Sequence, residues 1–407
     1  MARGGDITVE VCGRTDVGLE REHNEDSFLV ADLEHAWRAG ETDATRTLAV
    51  NGKGVVLAVC DGMGGAAAGE VASGMAVEAL FEELGGAARD KVAQPAEGKP
   101  NDDAAVLHRR EGLAELLYKA IMAANTRIWD ASVAERARSG MGTTASATTL
   151  IDEHLVIAQV GDSRAYLFRK GVLTQVTRDQ SLAGALIESG TLDQAQAKDF
   201  IHSNVILQAL GVEPDVAPTL SSIALCRGDV VLICSDGLSG PVYDDQMQSI
   251  LGAESDLAKA CDLLIEAAKE EGAPDNVTVV LARFGGEGLP EAAADAGAVA
   301  VHNFDTTPWE PPRPEGAAGG EDDDGEPSTM NIRGPTEDEF DEYDRSGRVP
   351  ARLAGDMGTR GRKGAAGAAA AVASAPDASA AADFRTAVVL GVLGGAAIVA
   401  GLLISRW

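Results

Sequence analysis

Residues 55–80 read VVLAVCDGMGGAAAGEVASGMAVEAL, and this stretch decides how the chain folds. Residues 55–60 form an apolar run that is too short for a separate helix and rich in valine, which predicts a buried strand. Asp61 ends the run, and a glycine-rich turn follows it directly. Because glycine permits positive φ and a close approach of the backbone, this turn can present a carboxylate and bare carbonyl oxygens to a small ligand. From residue 69 to residue 84, apolar residues recur every three or four positions, which predicts a helix.

This stretch alone leaves two interpretations of Asp61 open. A carboxylate at the end of a strand, beside a glycine turn, suits a hard cation that prefers oxygen ligands. The ordinary alternative is a strand–turn–helix corner in which Asp61 only caps the following helix.

The same arrangement recurs at two other places in the chain. Residues 229–234, DVVLIC, form a short apolar strand that ends at Asp236, and Asp275 directly precedes the last apolar strand, VTVVLARF. In antiparallel sheets the end of one strand lies beside the start of its neighbour, so the three carboxylates can meet at one edge. Unpaired carboxylates that share a site raise one another's pKa. The sequence therefore predicts a cluster of divalent ions, and two such ions can activate a water for displacement at phosphorus.

Other charged residues can join this edge. Glu25 and Asp26 add carboxylates from the first predicted hairpin, and Arg21 adds a guanidinium that suits bidentate contact with phosphate oxygens. Asp162 follows an apolar strand at residues 155–160 and one glycine, which brings its carboxylate near the same edge. The alternative for Asp162 is an ordinary turn residue that caps backbone amides or pairs with Arg164.

Composition and charge exclude several classes of function. The chain has 407 residues and a net charge of −30, which argues against nucleic acid as the main ligand because phosphate backbones require clustered Lys and Arg. The five cysteines contain no CxxC pair and are interpreted as reduced core residues of a cytosolic domain. The N-terminal residues lack the apolar core of a signal peptide.

Six segments, in this order along the chain, resemble the metal-dependent protein phosphatase family (PPM, type 2C) in its bacterial branch. They are TDVGLEREHNED, DGMGGAAAGEVAS, MGTTASATTL, VGDSRAYL, SDGLS and PDNVTVV. The resemblance covers about residues 9–284 and implies an α+β fold, a four-layer α-β-β-α sandwich of two antiparallel sheets flanked by helices. It also implies hydrolysis of phosphoserine and phosphothreonine with manganese or magnesium.

The resemblance also assigns roles to individual residues. Asp61 would bridge two ions, Gly62 would lend its carbonyl, and Asp236 and Asp275 would complete the shell of one ion. Glu25 would act on the other ion through water with Asp26 behind it, Arg21 would hold the substrate phosphate, and Asp162 with Asp236 matches a third-ion site found in bacterial members.

One departure from the family concerns proton transfer. Animal members have a histidine directly after the Asp–Gly pair, whereas this chain has Met63, so water must protonate the leaving serine oxygen. The alternative function is a pseudophosphatase, in which the same fold serves as a scaffold or binding module. The presence of Asp61, Asp236 and Asp275 favours the enzyme. A regulatory phosphatase that controls a sigma factor has the same catalytic residues and stays open as a third interpretation.

Several segments between the motifs carry structural predictions. Residues 33–54 and 85–110 are interpreted as loops, and a second helix is predicted over residues 111–133. Residues 179–204 are predicted to form a small helical subdomain between strands of the sheets. A further helix is predicted at residues 255–270.

The C-terminal region differs from the predicted phosphatase domain at residues 1–284. Residues 285–385 are rich in Ala, Gly, Pro and acidic residues and are predicted to be a disordered linker, either a solvated tether or a segment that recruits a basic partner. Residues 386–404 carry no charge and would span about 28 Å as a helix, which predicts a transmembrane anchor with a short tail at residues 405–407. Basic residues precede the span while only Arg406 follows it, so the catalytic domain is expected in the cytoplasm of a single-pass cell-membrane protein. The expected partners are phosphorylated serine/threonine proteins, including protein kinases and their substrates.

Overall fold

The structure is a computed structural model that describes residues 7–39, 45–50, 54–64, 68–86, 103–193, 196, 200, 205–293 and 299–304. Its centre consists of two antiparallel sheets stacked face to face. The first sheet has six strands in the order β10-β9-β12-β13-β1-β4, and every pairing within it is antiparallel. These strands are β1 (Ile7–Asp16), β4 (Arg46–Val50), β9 (Arg164–Arg169), β10 (Val172–Gln175), β12 (Val230–Cys234) and β13 (Val277–Gly285).

The second sheet follows the order β14-β11-β8-β7-β5-β2-β3, and a short strand, β6, continues the pairing at the end of β5. All of its pairs are antiparallel. Its strands are β2 (Asp26–Asp32), β3 (Trp37–Arg38), β5 (Val55–Met63), β6 (Gly142–Thr143), β7 (Ala145–Ile151), β8 (His154–Val160), β11 (Thr219–Ala224) and β14 (Val301–Asn303).

Helices cover the two outer faces of the sheets. On the second sheet lie α1 (Ala68–Gly85) and α2 (Asp103–Ala134), and on the first sheet lie α5 (Asp244–Ala253) and α6 (Leu257–Glu270). Two shorter helices follow loops near the strand ends, α3 (Leu182–Glu188) and α4 (Asp236–Ser239). This arrangement confirms the predicted α+β sandwich of two antiparallel sheets flanked by helices.

The central strands are buried on both faces, which explains their continuous apolar runs. In β5, Val55, Leu57 and Val59 face the other sheet, whereas Val56 and Ala58 face the helices. The same alternation occurs in β12 and β13. Because side chains in a strand point to opposite faces in turn, a strand between two apolar layers has no polar side and lacks the alternating pattern of a half-exposed strand.

The predicted loop at residues 33–54 is wrong for part of its length, because β4 lies in it and pairs with the start of β1. Only Leu48 of β4 is buried, so the sequence of β4 shows little apolar pattern. The pairing of β4 with β1 is what makes it a strand. The loop predicted at residues 85–110 is also too long, since α2 begins at Asp103, where polar residues obscure the helical period. Residues 87–102 of that loop lie outside the described residues. The sequence analysis missed α5, whose first turn holds two aspartates, and predicted α6 correctly.

The folded part of the chain extends beyond the predicted boundary at Phe284. Leu289 is fully buried in the core between the sheets, and the Arg227 guanidinium donates to the carbonyl of Gly286. Further on, β14 pairs with β11, and Phe304 packs against the core beneath the helices. Residues 286–293 and 299–304 therefore belong to the sandwich, and the linker prediction applies from residue 305, outside the described residues.

None of the helices in the described part of the chain is both long and apolar enough to cross a membrane. The predicted anchor at residues 386–404 lies outside the described residues.

Candidate active site

The predicted carboxylates do meet at one edge, where strands of both sheets end. Asp61 is near the C-terminal end of β5, and Asp26, at the start of β2, is its partner across the ladder. On the other sheet, Asp236 opens α4 just after β12, and Asp275 lies two residues before β13. The Ser235 hydroxyl donates to the Asp26 carboxylate over 2.8 Å and so joins the two sheets at this edge.

The electrostatics of this edge are those of crowded acids that are buried or half-buried. Burial, with the charge of Asp275 as one further cause, raises the pKa of Asp26 to about 8 and that of Asp236 to about 6. Burial also holds the pKa of Asp61 well above its ordinary value, with Asp26, Asp236 and Asp275 adding to the shift. Burial and the charge of Asp236 likewise raise the pKa of Asp162. Like charges and a low dielectric together make the ionised forms costly in the absence of a cation.

Two oxygen atoms at this edge fit a cation, because they are buried without a hydrogen-bond partner in the described structure. They are Oδ1 of Asp162 and Oδ1 of Asp236. A buried carboxylate oxygen without a donor is unfavourable, and a hard cation satisfies it directly. No three acidic, histidine or cysteine side chains of the described residues converge into a complete ligand set as they stand. One reason is that Asp275 Oδ2 accepts from Arg21 Nη2 over 2.6 Å.

Two threonines on the neighbouring strand hold the Asp61 backbone. The Asp61 amide donates to Thr144 Oγ1 over 2.9 Å, and the Asp61 carbonyl accepts from Thr143 Oγ1 over 2.9 Å. Thr144 also bonds the Ser163 hydroxyl over 2.7 Å, and all three hydroxyl residues are fully buried. Residues 141–144 are therefore buried core residues that also support Asp61.

Gly62 and Gly69 provide a close backbone contact that no larger residue allows. A Cβ at Gly62 would lie 2.3 Å from the Gly69 carbonyl oxygen and 2.4 Å from that of Glu25. A Cβ at Gly69 would lie 2.7 Å from the carboxyl carbon of Glu25. The Glu25 carboxylate therefore packs against the first turn of α1, where the helix dipole favours negative charge.

Arg21 lies at the rim of this edge, as predicted, with a side chain that is 51% exposed, and its guanidinium pairs with Asp275. Asn276 fixes the loop that carries Arg21. Its Oδ1 accepts from the Glu25 amide over 2.8 Å, and its Nδ2 donates to the carbonyls of Val17 and His23, each over 2.9 Å.

Sequence reasoning missed Asn276, although its place directly after Asp275 was a usable signal. A buried amide beside a candidate ligand must find several backbone partners, and here these partners are about 250 residues away in the chain.

Asp162 is 6% exposed and lies in the turn after β8, near Asp236. Arg164, its expected partner as a turn residue, instead forms hydrogen bonds of 2.7–3.0 Å with Asp179. The hydrogen bonds of the described residues therefore include no pair between Asp162 and Arg164, which was one of the roles considered for Asp162 as an ordinary turn residue.

Met63 pairs with Gly142 across β5 and β6. Its thioether cannot donate a proton at this position. His23 is exposed in the turn before β2.

Comparisons with known proteins agree with one another. The sequence profile of the family described as protein phosphatase 2C matches residues 39–282. A serine/threonine phosphatase, stp, of Listeria monocytogenes is 34% identical over 268 residues, which are 66% of this chain and 93% of the relative. The serine/threonine protein phosphatase PstP of Mycobacterium tuberculosis is 34% identical over 276 residues, 68% of this chain and 45% of the relative.

Solved structures give the same result. A crystal structure of the Mycobacterium tuberculosis phosphatase PstP is 34% identical, covers 68% of this chain and 98% of that one, and has a TM-score of 0.53. The catalytic domain of PstP in complex with two manganese ions is 34% identical, covers 69% of this chain and 99% of that one, and has a TM-score of 0.50.

Proposed function

The chain belongs to the protein phosphatase 2C family and is a serine/threonine protein phosphatase, and from this premise we propose how its residues carry out the reaction. Asp61 and the carbonyl of Gly62 would hold two divalent ions, manganese or magnesium, with Asp236 and Asp275 as further ligands of one ion. The substrates are phosphoserine and phosphothreonine in proteins, including protein kinases and their targets. The two manganese ions of the related PstP domain support the choice of metal.

The single observation that carries this proposal is the set of mutually repelling carboxylates at the strand ends, with two buried oxygen atoms that have no donor. Folding that brings these carboxylates together costs free energy unless a ligand neutralises them. When bound, the ions supply Lewis acidity that lowers the pKa of the attacking water and stabilises charge at phosphorus.

The chain's own residues position the substrate and the water. Arg21 is exposed and close to Asp275, so it can turn its guanidinium from that carboxylate to the oxygens of a substrate phosphate. Glu25 and Asp26 orient water near the second ion. Met63 carries no proton to give, so the leaving oxygen receives its proton from water.

Chelation tests the two-ion site. Treatment of the full chain with a chelator should abolish phosphothreonine-peptide hydrolysis, and manganese should restore it. Calorimetric titration of the chelated protein with manganese should show about two strong sites per chain, which reports binding independently of activity. Full activity in the chelated protein would rule out the proposed mechanism.

We also propose that Asp162 and Asp236 hold a weaker third ion. The orphaned Oδ1 atoms of these two aspartates and the effect of the Asp236 charge on the Asp162 pKa support it. Such an ion would supply an acidic bound water, and Met63 has no proton to offer in its place.

We further propose that residues 386–404 anchor the enzyme in the cell membrane with the phosphatase domain on the cytoplasmic side. The support is the charge-free apolar span and the basic residues before it. About eighty linker residues after Phe304 would let the domain move roughly 50 Å from the anchor as a flexible chain. Full-length protein should sediment with membranes and resist carbonate extraction, whereas residues 1–304 should not; a soluble full-length chain would contradict the anchor.

A further inference from the structure

A cleft of about 440 Å³ lies between the end of α2 and the loop that leads into β6. One wall is apolar and consists of Trp129, Val133 and Val212. Val133 is 65% exposed, which is unusual for a large aliphatic side chain beside a pocket. The opposite rim is polar and contains Arg136, Ser139 and Gly140. The cleft therefore offers an apolar surface next to one cationic group.

The cleft borders the catalytic edge. Its loop continues into Gly142, which pairs with Met63, two residues after Asp61. A Cβ at Gly64 would lie 3.4 Å from the Met141 backbone, so the loop also contacts the turn that follows Asp61. Gly62 pairs with Thr143, three residues after Gly140. Paired strands are about 5 Å apart and three residues span at most about 10 Å, so Gly140 lies within about 15 Å of Gly62. An extended peptide covers that distance in about four to five residues.

Arg136 differs from the other arginines of the described residues. All of them except Arg46, Arg110 and Arg136 form an ion pair with a carboxylate. Arg46 lies 4.1 Å from the centre of the Trp37 ring, and Arg110 lies 5.9 Å from that of Phe304. Arg136 is exposed and has neither kind of partner within the described structure. Its neighbour Glu135 is already bound by Arg138, with Nε and Oε2 3.1 Å apart.

A guanidinium without an ionic partner among the described residues is unusual in a chain with 64 acidic residues and a net charge of −30. Nearby carboxylates of the same chain would be expected to pair with it, as they do with most of the other arginines. We propose that this cleft binds an acidic residue of the phosphoprotein substrate, two to five positions from the phosphorylated residue, with an apolar neighbour against Trp129 and Val133. This proposal rests on the proposed function and specifies its substrate class.

Charge-swapped peptides test the proposal. A phosphothreonine peptide set should place Glu, Ala or Lys in turn at each position from five before to five after the phosphothreonine. For the full-length enzyme with manganese, Glu at one position two to five residues away should raise kcat/KM two- to fivefold over Ala, and Lys there should lower it by a similar factor. The preference should shrink in 0.5 M salt, because the pair is exposed.

Variants of the loop separate this role from folding. Arg136→Ala should remove the preference and Arg136→Glu should invert it towards Lys, while Arg138→Ala, the matched control two residues away, should keep the wild-type ratio. Hydrolysis of p-nitrophenyl phosphate should be unchanged in all three variants. If that hydrolysis is absent in the wild type, the proposed function fails rather than the cleft.

Two outcomes would overturn the proposal. One is a Glu-to-Lys ratio that is the same in wild type and Arg136→Glu. The other is a faster reaction of Arg136→Ala with every peptide regardless of charge, which would mean that the chain's own acidic segment occupies the cleft.

Discussion

An aspartate lies at each end of strand β12, and the two aspartates have opposite surroundings. At the start, Asp229 is 1% exposed and every oxygen has a donor: Arg169 Nε at 2.8 Å, Arg169 Nη2 at 2.6 Å and the Cys226 amide at 2.7 Å. At the other end, Asp236 faces other carboxylates and leaves Oδ1 without a donor in the described structure.

This difference separates a structural carboxylate from a functional one. An aspartate with complete hydrogen bonds and a buried cation stabilises the fold as it stands, and its removal leaves the cation uncompensated. An aspartate that is crowded by like charges and incompletely bonded destabilises the fold until a ligand completes it. The hydrogen-bond donors distinguish the two ends, because Asp229 is fully bonded whereas Asp236 has a buried oxygen without a donor among the described residues.

The largest effect is expected for Asp61→Asn. A neutral amide cannot bridge two cations, so phosphopeptide hydrolysis should fall on the order of 1,000-fold, more than the 10–100-fold that loss of an outer-shell partner costs. Stability of the chelated protein should stay equal or rise, because one member of the repelling set is gone. Steady-state kinetics and urea unfolding of the chelated variant measure both effects. A large loss of stability with normal turnover would contradict this prediction, because it would make Asp61 a structural carboxylate.

Asp229→Asn should have the opposite profile. It leaves the Arg169 guanidinium buried beside a neutral amide, so the free energy of unfolding should fall by about 3 kcal/mol. The activity of the folded fraction should remain, since Asp229 is at the far end of the strand. Urea unfolding and kinetics per active site check this, with Arg283→Ala, at a half-exposed ion pair in the next strand, as the control that should cost less than about 1 kcal/mol.

The pH dependence of the chelated protein sharpens the comparison. The pKa of Asp26 is about 8 and that of Asp236 about 6, above the ordinary value near 3.9 in the unfolded chain. The folded state therefore holds protons that the unfolded state loses as pH rises from about 4 to 8. The unfolding free energy should fall over that window by several kcal/mol, since each unit of pKa difference corresponds to about 1.4 kcal/mol. Saturating manganese should flatten or reverse this slope, and an unchanged slope with manganese would argue that the acids do not bind it.

The smallest effect is expected for Asp162→Ala. If Asp162 holds a third ion that supplies the leaving-group proton, turnover of phosphopeptides should fall about tenfold, less than the 10²–10⁴-fold typical of general acid catalysis because bulk water can still donate the proton. The defect should be smaller for p-nitrophenyl phosphate, whose leaving group hardly requires a proton. Equal losses on both substrates with a lower melting temperature would instead show that Asp162 stabilises its turn.

The sequence by itself determined the buried strands and the identity of the acids at their ends, and the resemblance of its six motifs implied the sandwich. Long valine-rich runs that end at Asp61 and Asp236, and one that begins after Asp275, predicted buried strands. Antiparallel pairing then brings their ends together. These are local signals, because period, turn chemistry and strand ends are all written within about ten residues.

Only the tertiary structure decided the features that depend on distant partners. The strand β4 exists because β1 pairs with it, and β14 extends the sandwich past Phe284 because β11 offers a free edge. Asn276 acts through carbonyls of the first hairpin. Likewise, Asp229 and Asp236 look alike in sequence, since each flanks the same apolar run and has a small or polar neighbour. Their difference comes from donors on other strands, and no local pattern encodes a contact whose partner lies across the fold.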